Sequence, residues 1–353
     1  MKRIISVLMI ITMVLCMTSC GEPDKKNGKE SEKAEIAMIA DSSEIKDGSF
    51  TQSIWSCVEN FAMDNGLTAE RYKTKEENYM QTIQKAVENG AKLIIADGSN
   101  FETAVYSAQS SYPDVKFLLI DGVPHDEAMN YVNAANTISI IFAEEEAGYL
   151  AGYAAVKDGY TKLGFMGGQE LPGVKRYGYG FVQGAAAAAD ELEKKIEMSY
   201  IYMGTFESSD DVKKLAADWY KNGTEVIFAC GGGMGTSVMK AAEKNNGKVI
   251  GVDTDQSSLS ASVITSAKKG IDTAVTEMLE NYVDDKFIGG TAFNYNAKNS
   301  GVSLEMDNGQ FKSFKQNDYE KVFKQLKNGK IQLKKDTGVN AVTELTGEWV
   351  TIK

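Results

Sequence analysis

One feature constrains the fold of this chain more than any other: it repeats itself. Residues 88–99 read ENGAKLIIADGS and residues 221–232 read KNGTEVIFACGG. Each passes from a helix end through an Asn-Gly stop into an apolar strand and a turn of small residues. Asn222-Gly223 follows Asn89-Gly90 by 133 positions, and Asp253, which ends KVIGVD, follows Asp121, which ends KFLLID, by 132. Upstream, IAMIAD (36–41) has its counterpart in KLGFMGG (162–168). Between the strands lie helical stretches at Phe50 to Asn65, Tyr79 to Glu88 and Phe101 to Ser110. Short apolar strands alternating with helices predict parallel sheets covered on both faces, here two similar α/β lobes.

Open parallel sheets bind ligands beyond the carboxyl ends of their strands. Those ends are small or acidic here: Asp41, Asp97-Gly98 and Asp121 in one half, Gly167-Gly168, Cys230-Gly231-Gly232 and Asp253 in the other. Lobes that face each other place these residues on a shared cleft, which a hinge can close over a ligand.

Composition excludes several alternatives. With 353 residues the chain has room for two domains, and a net charge of −11 disfavours nucleic acid and polybasic membrane contact alike. One histidine and four cysteines exclude a His-rich metal site and any scheme needing two histidines. His125 follows Pro124 in a loop with no triad around it. No catalytic group or cofactor motif stands out, so neither an enzyme nor a cofactor is expected.

The N-terminus has its own logic. Met1-Lys2-Arg3 is basic, Ile4 to Met17 is apolar apart from Ser6 and Thr12, and Thr18-Ser19-Cys20-Gly21 supplies small residues. This is a secretory signal, and its apolar run is shorter than the ~20 residues a membrane-spanning helix needs. The signal ends on a cysteine, as in a bacterial lipobox. Residues 1–19 are therefore expected to be removed and Cys20 to carry the lipid, with 20–33 as a flexible polar tether.

Several residues are candidates for the cleft, each with a plainer alternative. Gly231-Gly232-Gly233-Met234-Gly235 follows a strand and opens a helix; it is either a backbone approach to a ligand or a tight turn. It matches neither GxGxxG nor a P-loop. Asp47 or Ser49 can bind ligand or cap the helix that follows. Phe50 and Phe181 each lie soon after the first strand of their half and are either core residues or two rings that sandwich a flat ligand. Asp253 ends a buried strand, where a carboxylate accepts hydrogen bonds from a ribose diol or caps the next segment. Lys268 or Lys269 can reach the cleft or remain solvated.

Taken in order, ADSSEIKDGSFTQSIW (40–55), EEEAGYLAGYAA (144–155), GFMGG, GYGFVQG, CGGGMG, GVDTDQ and TSAKKGID resemble the basic membrane protein family of nucleoside-binding lipoproteins. The likeness runs from about residue 35 to 310. It implies a type I periplasmic-binding-protein fold and purine-nucleoside capture for an ABC transporter with a permease and a separate ATPase. It further implies Asp41 and Asp47 beside the base, Phe50 and Phe181 stacked on it, Asp253 at the ribose diol, and Lys269 at the matching lysine of the TSxxK pattern. Gly232, Gly233 and Gly235 would form the ligand-facing turn, and Asp97 or Gly98 the first lobe's wall. Thr51 stands where the family usually has Asn, and a hydroxyl offers fewer hydrogen bonds than an amide. A sugar-binding or sensory receptor on the same scaffold is the alternative. The lobes are expected at 34–141 plus 265–290 and at 142–264 plus 291–353, with crossings near 141, 264 and 290.

Overall fold

A computed structural model describes residues 34–41 and 48–353. The signal segment, Cys20, the tether and Asp47 lie outside the described residues. The chain runs β1 (Ile36–Ala40), α1 (Phe50–Asp64), β2 (Ala69–Lys73), α2 (Tyr79–Glu88), β3 (Leu93–Asp97), α3 (Glu102–Ser111), β4 (Lys116–Ile120) and β5 (Thr137–Phe142). It continues through α4 (Glu144–Lys157), β6 (Lys162–Gly167), α5 (Pro172–Leu192), β7 (Ile196–Tyr202), α6 (Asp210–Lys221), β8 (Val226–Cys230), α7 (Met234–Asn245), β9 (Lys248–Asp253) and β10 (Val263–Lys269). The rest is α8 (Ile271–Val283), β11 (Thr291–Tyr295), β12 (Val302–Leu304), α9 (Gln316–Lys327) and β13 (Val350–Ile352).

The strands form two sheets, ordered β11-β5-β4-β3-β1-β2 and β12-β10-β9-β8-β6-β7-β13. Among the described strands only β12 pairs antiparallel. The orders β5-β4-β3-β1-β2 and β10-β9-β8-β6-β7 are the same winding, so the repeat read in the sequence is a repeat of structure: β3 with β8, β4 with β9, β1 with β6. β1, β3 and β8 are buried at every residue, as parallel strands covered on both faces must be. In the first lobe Met38 and Leu118 face one apolar layer while Ala37 and Phe117 face the other. Strand order reverses between β1 and β3 and again between β6 and β8, and a crevice opens beyond the strand ends at each reversal.

The chain crosses between lobes after β5, after β10 and between β11 and β12. The crossings lie side by side: Ala143 N–H donates to the Tyr295 carbonyl at 2.9 Å and Gly270 N–H to that of Gly301 at 2.9 Å. The second and third fall later than residues 264 and 290. β10 pairs with β9 from Val263 to Lys268 in the second sheet, and β11 pairs with β5 in the first. Thr265, Ser266 and Lys269 look too polar for a buried strand, but each polar group is used. Thr265 donates to the Glu305 carbonyl at 2.6 Å and Ser266 accepts from Gln256 N–H at 3.0 Å.

After the first crossing, α4 packs on α5 with unusual closeness. A Cβ on Gly152 would lie 2.1 Å from the Phe181 carbonyl oxygen, and one on Gly184 would lie 2.0 Å from that of Tyr149. Gly148 and Gly180 meet the partner backbone in the same way. The two helices touch main chain to main chain, which fixes Glu144 at the start of α4 against Arg176 on α5.

Candidate functional site

The cleft lies where the two switch points face each other. From the first lobe it takes Asp41, Phe50, Thr51, Asp97 and Asp121; from the second, Tyr177, Phe206, the Cys230–Gly233 turn, Asp253 and Lys269. Asp41 follows β1 and accepts from Asn100 Nδ2 at 2.9 Å and from the Tyr79 hydroxyl at 3.3 Å. Ser49 caps α1 by accepting from Gln52 N–H, and this places Phe50 at the mouth of the helix, half-buried, on the cleft wall. Thr51 donates to Asp97 Oδ2 at 2.6 Å. Burial, reinforced by the charges of Asp41 and Asp121, pushes Asp97 up to about 7 against the pull of that hydroxyl.

Lys269 is the electrostatic centre. Its ammonium contacts Asp121, Glu144 at 3.1 Å and Asp253 at 3.6 Å, and sits 4.5 Å from the Phe50 ring centroid. Phe142 and Tyr177 present rings to it as well. Asp121 and Asp253 end equivalent strands, both at positive φ (62° and 66°), so the two lobes offer matching carboxylates to one lysine. Burial alone would lower the lysine, but the three carboxylates outweigh it and hold Lys269 charged. The carboxylates differ by their other partners. Burial raises Glu144, but Arg176 at 2.6 Å and Lys269 hold it down at about 2. Burial pushes Asp121 up to about 7, with Lys269 opposing. Asp253 is raised by burial and accepts from Tyr177 at 3.1 Å. Carboxylates outnumber cations around this cleft. No group of residues suited to holding a metal occurs among the described residues.

Phe181 is not in the cleft. It is fully buried, with its ring centroid 5.2 Å from that of Phe228 and 6.4 Å from that of Phe165. Gly180 and Gly184 turn their face of α5 to α4, and the side chain between them points at the sheet. Tyr177, one turn earlier, reaches the cleft instead. Gly235 is also displaced. It lies in the first turn of α7, where a Cβ would face Ala229 at 3.7 Å, while Gly231, Gly232 and Gly233 line the cleft.

A second aromatic of this lobe on the cleft is Phe206. It follows β7 and lies over Gly168, where a Cβ would sit 2.5 Å from its ring. Met234 N–H donates to its carbonyl at 2.8 Å, and Gly204 N–H to that of Gly168 at 3.0 Å, so the loop is tied to the glycine turn and to β6. The sequence signal was Gly167-Gly168: two bare Cα atoms at a strand end make room for a neighbouring ring. Gly232, at φ 54°, lies between the walls, with the position of a Cβ 3.9 Å from Phe206 Cβ and 4.0 Å from Ser49 Cβ.

Residues 33–341 match the family described as ABC transporter substrate-binding protein PnrA-like. The chain belongs to this family. It is 31% identical over 334 residues to the ABC transporter nucleoside-binding protein BmpA of Lactococcus lactis, an alignment covering 87% of this chain and 92% of that one. It is 28% identical to basic membrane protein A1 of Borrelia garinii, over 84% and 86% of the two chains. Among solved structures it superposes on an ABC transporter solute-binding protein from Aeropyrum pernix with a TM-score of 0.77 at 17% identity, covering 88% of this chain and 96% of that one. A periplasmic binding protein/LacI regulator from Alkaliphilus metalliredigens gives a TM-score of 0.55 at 16% identity, over 76% and 96%. The fold is the type I periplasmic-binding-protein fold. PnrA-like proteins are extracytoplasmic substrate-binding components of transporters, not enzymes. No helix among the described residues is long and apolar enough to cross a membrane.

Proposed function

We propose that this PnrA-like protein captures a nucleoside, with purines preferred, and delivers it to a membrane permease driven by a separate ATPase, while a lipid on Cys20 holds it at the extracytoplasmic face. The observation that carries this reading is the pairing of Phe50 from one lobe with Phe206 from the other on a single acidic cleft. Aromatic rings accept the π-face of any base. Asp253 and Lys269 suit a ribose diol, one accepting and the other donating hydrogen bonds. Asp41, Asn100, Thr51 and Asp97 offer both acceptors and donors to a base edge at the first lobe's switch point. The name of the Lactococcus relative agrees with this chemistry.

The charge balance selects the form of the ligand. With carboxylates in excess around Lys269, a neutral nucleoside enters without an electrostatic penalty and a phosphorylated one does not. Calorimetry with inosine, adenosine, guanosine and cytidine tests the reading. At least one purine nucleoside should bind, and inosine monophosphate should bind at least about tenfold more weakly than inosine. Absence of binding to all four nucleosides overturns it.

A further inference from the structure

The lobes meet at a second place that does not line the cleft. Gly48, which precedes the cap of α1, carries a carbonyl that accepts two hydrogen bonds from the second lobe. Thr254 Oγ1 donates at 3.0 Å and Gln256 Nε2 donates at 3.0 Å. Both donors sit in the turn after β9. Gln256 is buried and pre-set there, since its Oε1 accepts from Val252 N–H at 3.2 Å and its own N–H donates to Ser266 at 3.0 Å. Leu259, in the same turn and 40% exposed, lies against Gly48 so closely that a Cβ on Gly48 would be 2.8 Å from Leu259 Cδ1. Gly48 adopts φ 66°, a conformation glycine takes freely, and its N–H donates to Gln52 Oε1 at 2.7 Å, tying the contact to α1.

We propose that Thr254, Gln256 and Leu259 form an interlobe latch that positions the Phe50 wall through Gly48 and so sets how long a captured ligand is retained. The latch is built of protein groups alone, and Gly48 stands two residues from Phe50. Its contribution to closure is therefore the same for every ligand the cleft admits. Because it must part before the lobes can open, it slows release. This goes beyond the nucleoside assignment and does not require it.

Stopped-flow binding of inosine tests the latch. Thr254→Val keeps the shape and removes the donor, and should speed inosine dissociation about fivefold, the effect of one neutral hydrogen bond. The double variant T254V/L259A should dissociate faster still. Thr254→Ser, which restores the hydroxyl, should return dissociation to the unsubstituted value. An unchanged dissociation rate in both variants overturns the proposal. If inosine fails to bind the unsubstituted protein, that failure belongs to the nucleoside reading alone. Small-angle scattering of the ligand-free proteins then decides: a larger radius of gyration for T254V/L259A supports the latch, and equal radii overturn it.

Discussion

At the scale of single residues, two phenylalanines separate binding from folding. Phe206→Ala should weaken nucleoside affinity by about 1–3 kcal/mol through lost stacking and leave the thermal midpoint nearly unchanged. Phe181→Ala should do the reverse, costing about 3–5 kcal/mol of stability by emptying a core site, with affinity retained in the folded fraction. Calorimetry and thermal melts on both variants check the pair. Asp253→Ala should lose about 1.5–3 kcal/mol of binding, the range for a hydrogen bond to a charged group, without unfolding the chain. Asp97 makes a pH prediction. Its carboxyl is raised in the folded state to about 7, so the native protein binds more protons than the unfolded chain across the window from the ordinary aspartate range to 7. Stability contributed by this site therefore falls as pH rises through that window. Asp97→Asn removes the effect, and should raise the melting temperature of the ligand-free protein more at pH 8 than at pH 4. A gain that is equal at both pH values would contradict the assignment.

At the scale of elements, the α4–α5 pair is the part most sensitive to added volume. Gly152→Ala or Gly184→Ala places a methyl about 2 Å from a carbonyl oxygen of the facing helix. The helices must separate, at a cost of about 1–3 kcal/mol or more, read by chemical denaturation. That separation also pulls Glu144 from Arg176, so affinity should fall with stability. The glycines of EEEAGYLAGYAA and GYGFVQG were visible in the sequence, but what they approach was not. Helical periodicity says that Gly180 and Gly184 share a face, and α4 decides that this face is inner. Phe181 then turns to the sheet, away from the cleft its motif suggested. β10 has a similar history. Its Thr, Ser and Lys residues hid a buried strand, because the partners that satisfy them, Glu305, Gln256 and Asp121, come from distant segments.

At the scale of the whole molecule, two lobes with matching strand ends close on one lysine, and the hinge is a bundle of adjacent crossings. Ligand that bridges Phe50 and Phe206 should compact the protein, lowering the radius of gyration in small-angle scattering when inosine is added. Lys269→Gln should weaken binding and loosen closure together, since Asp121 and Asp253 would lose the cation they share across the cleft. The sequence by itself determined the repeat, the parallel α/β lobes and the acidic strand ends. These are local matters of periodicity, burial and turn chemistry, and they recur at a fixed spacing along the chain. It also marked Asp41, Phe50, Thr51, Asp97, Asp253 and Lys269, all of which the fold gathers on the cleft. Only the tertiary structure decided that Phe206 and not Phe181 lines the cleft, and that Gly48 bonds to the other lobe. Those outcomes depend on which face of a helix another backbone occupies and on which loop finds room over Gly168, and such choices are made by contacts between residues far apart in the chain.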